Sequence, residues 1–263
     1  MRTTKRFLGL LGFISAGLLL SHTTYGAKGG TSILHWMLHA TFTNTDLAPN
    51  AIGSVDAKLN QQGNADNQKL NISLGKLDSN TTYTLSAVLG DDTNLTDVTT
   101  FTTDANGAAA FKYSHVGSSH GNGHGPGTPL PDALKPISNI RELVVDISST
   151  QEVLRADLTA PDRFQYLVKR AMSNDHVEDT AAASLRIHAS GSFVQFRIDA
   201  TGLTATQTYF LAINSDIASS TTSDTQGKLN ISGLSGGAPA ILDIHDLAIL
   251  NSTSNSVLST TLP

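Results

Sequence analysis

Residues 142–158 read ELVVDISSTQEVLRADL and residues 246–262 read DLAILNSTSNSVLSTTL, and the two stretches align without a gap. The identical pairs are Leu143/Leu247, Ser148/Ser252, Val153/Val257, Leu154/Leu258 and Leu158/Leu262. Just upstream, Ile137/Ile241 and Ile140/Ile244 keep the same spacing. Internal similarity of this kind indicates that a chain is built from repeated structural units.

Three further pairs of segments occur in the same order in both halves of the chain. They are Leu34-x-Trp36-x-Leu38 with Phe164-x-Tyr166-x-Val168, Leu77-x5-Tyr83 with Leu203-x5-Tyr209, and 102–107 with 222–227. The last pair shares Asp-x-x-Gly, in which the carboxylate accepts hydrogen bonds from following amides and the glycine takes a positive φ. The ordered set predicts an internal duplication, with a first unit at 27–159 and a second at 160–263.

Within each unit the hydrophobic residues recur with the period of a β-strand. Leu70, Ile72 and Leu74 alternate with polar residues, as do Val194, Phe196 and Ile198. This spacing places one face on a core and the other in water. With turn residues recurring about every 10 positions, the chain is expected to be all-β, as antiparallel sandwiches or barrels. The predicted architecture, two tandem β-sandwich units, resembles immunoglobulin-like sandwiches, and a likeness of fold implies no function.

One segment, 162–172, permits two interpretations. Phe164, Leu167, Val168 and Ala171 fit one face of a helix, and the stretch Thr159-Ala-Pro-Asp could begin it. The alignment with Trp36 and its neighbours favours a strand.

The N-terminus, residues 1–26, has the layout of a secretory signal peptide. A basic start with Arg2, Lys5 and Arg6 precedes an apolar run at 7–20 and a polar segment, and we expect cleavage before Ala27. The alternative is an uncleaved anchor, although the run is shorter than the about 20 residues that span a bilayer. The sequence has no cysteine, which favours a bacterial periplasmic or extracellular protein over an exported eukaryotic one.

Removal of the signal peptide makes the charge more negative. It leaves 14 of the 17 basic residues against 22 acidic ones, a net charge of −8. Such a surface repels nucleic acid and anionic lipid, and the sequence shows no basic cluster that would offset it. We therefore expect no nucleic-acid partner, and no integral membrane segment in the mature form.

The main asymmetry between the units is a His/Gly/Pro-rich loop at 114–136. His115, His120 and His124 fall within ten residues, and neutral imidazoles suit Zn or Cu. Asp132 is the nearest carboxylate that could complete such a site. The alternative is that these residues merely form a soluble loop. No other cofactor is expected.

No catalytic signature is present: the sequence lacks a Gly-x-Ser-x-Gly elbow, a His-Glu-x-x-His zinc motif and a glycine-rich phosphate loop. We therefore expect a non-enzymatic structural, adhesive or surface-associated protein, and the alternative is a periplasmic metal-binding protein that uses the His-rich loop. The expected partners are other cell-surface or matrix proteins, or a second copy paired through an edge strand. The hydrophobic strand Ile33–Leu38 is the candidate for docking into a neighbouring unit or subunit.

Overall fold

The computed structural model describes residues 32–63, 65–90, 92–117, 128–148, 151–234 and 241–262, and nearly all of its regular structure is β, as the sequence predicts. The strands of the first half are β1 (Ile33–Thr41), β2 (Thr43–Asn44), β3 (Ile52–Gln62), β4 (Ala65–Gly75), β5 (Thr82–Leu89), β6 (Leu95–Thr102), β7 (Ala109–Gly117), β8 (Thr128–Pro129), β9 (Ile140–Ser148) and β10 (Gln151–Asp157). Two short 3-10 helices, Asp132–Leu134 and Ile137–Asn139, lie between β8 and β9.

The second half continues the pattern, with one more short 3-10 helix at Ile241–Asp243. Its strands are β11 (Arg163–Asn174), β12 (Ala182–Ser190), β13 (Phe193–Thr201), β14 (Thr208–Ile213), β15 (Asp216–Thr222), β16 (Leu229–Ser232), β17 (Asp246–Leu250) and β18 (Ser256–Thr261). Strand β11 covers the segment for which a helix was the alternative. Tyr166 and Val168 are buried there while Gln165, Leu167 and Lys169 are exposed, which is the alternation of a strand.

Each half places its strands in two sheets. In the first half, β1, β3, β4, β7 and β8 form one sheet in that order, and β2, β10, β9, β5 and β6 form the other. In the second half, β11, β12, β13 and β16 follow one another in one sheet, and β11, β18, β17, β14 and β15 in the other. The inward residues of the sheets, such as Leu59, Leu70 and Leu143, are fully buried in a continuous hydrophobic core.

The strand order differs from that of an immunoglobulin domain. In the constant-type immunoglobulin arrangement the second and third strands, which correspond to β3 and β4 when the two-residue β2 is set aside, lie in opposite sheets. Here β3 and β4 are hydrogen-bonded neighbours along their whole length, with Ile52 opposite Gly75 at one end and Gln62 opposite Ala65 at the other. Two residues connect these strands, and a connection that short joins adjacent antiparallel strands. This pairing does not confirm the expected immunoglobulin-like order.

The two halves are joined by strand pairing. Strand β1 lies between β3 and β11. It is antiparallel to β11, with Ile33 opposite Lys169 at one end and His39 opposite Arg163 at the other. One sheet therefore extends from β8 through β1 and β11 to β16, and we call it the shared sheet. The Ile33–Leu38 strand thus docks into the second half of its own chain. Both its edges are occupied, which leaves this strand no open edge for self-association.

Candidate functional site

The structure places one of the three predicted metal ligands. His115 lies on β7, half-buried and directly opposite Gln68 of β4. Opposite residues of paired strands lie on the same face, and Gln68 is buried, so His115 faces the interior at one end of the first half. His120 and His124 lie outside the described residues. The three-histidine site therefore stays a prediction.

The described end of the His-rich loop is more regular than its composition suggests. Thr128–Pro129 pairs in parallel with β7, and Asp132 begins a 3-10 helix just after it. The Lys135 Nζ donates a hydrogen bond of 2.7 Å to Asp132, and this bond, with a smaller contribution from nearby His115, lowers the pKa of Asp132. Among the residues that the structure describes, no three His, Cys, Asp or Glu side chains are grouped so that they could hold a metal ion.

A cleft of about 240 Å³ opens where the two halves meet. It is lined by Trp36 and Tyr166, and burial raises the pKa of the Tyr166 hydroxyl, which stays protonated. The Ser138 hydroxyl in its wall is buried without a hydrogen-bond partner in the described structure. Ligand pockets usually measure about 300–1,000 Å³, so this cleft suits a small polar molecule or ordered water.

A second cleft, of about 570 Å³, adjoins the first and shares Arg141 with it. Arg155 on its wall is bound by Glu142 and by Glu152, the latter at 2.6 Å from Arg155 Nη2. Because its guanidinium group is already paired with two carboxylates, it offers little to an anionic ligand.

The outer surface of the shared sheet collects basic residues from both halves. We call it the basic face, and its cations are Lys58, Lys69, Lys112, Arg163, Lys169, Arg186 and Arg197. Lys58 is half-buried and the other six are exposed. The strands of this face also carry Asp56, which is 2.8 Å from His39, and Asp199, which is 2.7 Å from Arg197. Asp162 lies at its rim, where it accepts hydrogen bonds from Thr41.

The expectation that no basic cluster exists is therefore wrong. The cations are far apart in the chain, and only the register of the strands brings them onto one face. Nearly all acidic side chains of the described structure lie elsewhere, so a chain of negative net charge presents one broad positive surface.

Two further findings bear on identity. Within the described part of the chain, no helix has the length and apolar character needed to cross a membrane. Comparison of the sequence and the structure with protein families, with curated proteins and with solved structures found no match. The function must therefore be argued from the geometry alone.

Proposed function

We propose that this chain is an exported, non-enzymatic structural or surface-associated adhesive protein, built from two copies of one β-sandwich unit that arose by duplication. The pairing of β1 with β11 is the observation that carries the proposal. Trp36 and Tyr166 are aligned by the sequence repeat, and they also lie directly opposite each other across this pairing. In a two-fold contact between identical subunits, a segment of one subunit pairs with the same segment of the other. The pairing of β1 with its counterpart β11 has this geometry within one chain.

Repeated hydrogen bonds support the duplication. Tyr83 Oη accepts a bond of 3.1 Å from the Asp78 amide, and Tyr209 Oη accepts one of 3.0 Å from the Thr204 amide. The two Asp-x-x-Gly turns also match: Asp104 and Asp224 each accept bonds from amides two and four residues later, all of 2.8 Å. The same polar groups thus satisfy the same backbone positions in both halves.

The shared sheet supports a structural role. Hydrogen bonds between β1 and β11 cross the boundary between the halves, and the hydrophobic core is continuous across it. Two halves joined in this way act as one body, whereas units joined by a linker alone would move separately. Such a body can present a wide sheet surface to a partner at the cell surface, and the basic, apolar and polar order of residues 1–26, which is typical of a signal peptide, supports export to that location.

Cell fractionation tests the proposal. The chain, expressed in a bacterium with its own N-terminus, should be recovered outside the cytoplasm, and its mature form should begin at Ala27. Leu18→Arg combined with Leu20→Arg should keep it inside, because charges in the apolar run block export. Recovery of the unaltered chain in the cytoplasm at full length would contradict the proposal.

The second candidate is a metal-binding protein, and it is favoured by the pairing of β7 with β8, which places Pro129, three residues before Asp132, opposite Ser114, the neighbour of His115. Calorimetric titration of the full chain with Zn²⁺ and Cu²⁺ tests it. The variant His115→Ala/His120→Ala/His124→Ala should lose binding, while the control His176→Ala/His188→Ala, which alters two exposed histidines, should keep it. Equal affinities in all three proteins would reject this candidate.

A further inference from the structure

The basic face places like charges directly beside one another. Lys58 is opposite Lys69 across β3 and β4, while Arg186 is opposite both Lys169 and Arg197 across β11, β12 and β13. Like charges at directly opposite positions destabilise a sheet. Apart from Arg197, none of the seven cations has a carboxylate within 4.0 Å in the described structure. The face therefore carries an excess of positive charge, seven cations against Asp56, Asp199 and Asp162 at the rim, and an anionic partner would offset the repulsion between those cations.

The residues between the cations narrow the chemistry of the partner. They are mainly neutral hydrogen-bonding side chains: Asn60, Asn67, Asn71, Gln165, Gln195 and several serines. Of the large apolar side chains on the described part of the face, Ile52, Leu167 and Phe193 are exposed. Single-stranded nucleic acid would need aromatic side chains on which its bases could stack. Duplex DNA would need an element that enters one of its grooves, and a flat sheet surface has none. A lipid surface would favour apolar side chains that enter the bilayer beside the cations.

We propose that the basic face binds an acidic polysaccharide, whose carboxylate or sulfate groups pair with the lysines and arginines while its hydroxyls bond the amides and serines. The proposal rests on the proposed function, because export would bring the chain to the compartment where such polymers are found. The attraction acts between the positive basic face and the negative polymer. The acidic residues that make the whole chain negative lie mostly on its other surfaces.

The two rows of cations are spaced to hold one extended polymer. Strands lie about 4.8 Å apart and residues rise about 3.4 Å along a strand, so Lys58 and Arg186, three strands and four residues apart, are separated by about 20 Å. A chain of several sugars that crosses the sheet diagonally over β1 and β11 can contact both rows. Each half contributes one row, so binding requires the two halves to remain joined.

Binding of the purified full chain to polygalacturonate and to dextran sulfate, at physiological salt, tests the proposal. The variant Lys58→Gln/Lys69→Gln/Lys169→Gln/Arg186→Gln should weaken binding about tenfold or more, since four contacts with the polymer are lost. This variant should fold normally because it relieves repulsion within the sheet. Lys76→Gln is the control, since this lysine is exposed and lies in the bend that follows β4, and it should bind as the unaltered chain does. Binding should weaken as salt rises, and uncharged dextran should not bind.

Three results would overturn the proposal. The first is no binding to either polysaccharide, and the second is a loss of affinity per charge removed that is the same in the face variant and in the control. The third is tighter binding to duplex DNA, to anionic vesicles or to a second copy of the chain. Light scattering detects the last of these. Retention by polygalacturonate rather than dextran sulfate would assign carboxylate sugars, and the reverse would assign sulfated ones. Location in the cytoplasm would contradict the proposed function without altering the measured affinity, so the two failures are distinguishable.

Discussion

The two halves of the chain share most of their interior pattern and differ chiefly on their surface. Trp36 lies opposite the buried Leu59, and Tyr166 lies opposite the buried Ala189, so Leu59 and Ala189 are corresponding positions. Three residues before each of them, the first half has Asp56 and the second half has Arg186. An acid in one half thus corresponds to a base in the other, although the pairing of the strands is the same. The matching pairs therefore account for how the halves fold and join, and the function of the surface must come from what differs.

The largest expected effect concerns the contact at which the halves meet. Trp36→Ala and Tyr166→Ala should each lower the free energy of unfolding by about 3–5 kcal/mol, because each removes a buried aromatic ring and leaves a cavity. Urea denaturation followed by circular dichroism measures both. Phe193→Ala, in which an exposed ring is lost, should cost about 0.5 kcal/mol or less. If Trp36→Ala costs no more than this control, the contact between the halves contributes little to stability.

The next effect tests whether the Asp-x-x-Gly turns are equivalent. A Cβ at Gly107 would lie 1.9 Å from the Leu77 carbonyl oxygen, and one at Gly227 would lie 2.0 Å from that of Leu203. Both glycines also have φ near +70°. Gly107→Ala and Gly227→Ala should therefore each cost about 3 kcal/mol, from backbone strain and overpacking together. Thermal and urea denaturation should give the same loss for both.

Gly191→Ala is the control for the glycine variants. Gly191 also has a positive φ, of +56°, but nothing lies within 4 Å of a Cβ built there. The substitution should cost about 1 kcal/mol, the strain of the left-handed backbone alone. Unequal losses at Gly107 and Gly227 would show that the two turns, despite their matching hydrogen bonds, are not equivalent.

Much of the fold follows from the sequence because burial alternates along each strand. Leu70 and Ile72 identify a strand and its inward positions from local residues alone, and the Asp-x-x-Gly turns identify where one strand ends and the next begins. These turns connect strands of different sheets, β6 with β7 and β15 with β16, so they do not close hairpins. The order of the strands does not follow, since it depends on which edges meet across long separations. The pairing of Trp36 with Tyr166 links residues that are 130 positions apart, and no local pattern predicts its register.

The candidate site was harder to foresee than the fold. Lys58, Lys69 and Arg186 each stand between uncharged neighbours in the sequence, so no run of charge marks them. The signal that could have revealed them is their position: each occupies an outward place in an alternating strand. Reading the charge of those outward places separately from the net charge would have indicated a basic surface. The histidine cluster was visible as a local run, but His120 and His124 lie outside the described residues.

A smaller effect tests the polar interior that both halves share. The Thr103 hydroxyl accepts a bond of 3.1 Å from the Thr81 amide and donates one of 2.6 Å to the Asp78 carbonyl. Ser223 makes the same two contacts in the second half, with Gln207 and Thr204, at 3.2 and 2.7 Å. Thr103→Val and Ser223→Ala should each cost about 1–2 kcal/mol in urea denaturation, because buried backbone groups lose their partner. Thr103→Ser should be nearly neutral, and a large loss there would mean that the methyl group, not the hydroxyl, stabilises this site.

The smallest effect concerns a position where the interiors differ. Asp146 is buried, and the repeat aligns it with Leu250. Burial, followed by repulsion from Glu152, raises the pKa of Asp146 above its ordinary value of 3.8. The folded state therefore holds this proton more tightly than the unfolded state, and stability falls as pH rises from the ordinary pKa through the raised one. Asp146→Asn, which cannot ionise, should raise the melting temperature at pH 7 and leave it nearly unchanged at pH 3. A gain at pH 3 as large as that at pH 7 would show that charge is not the cause, and that the amide stabilises the fold by a contact of its own.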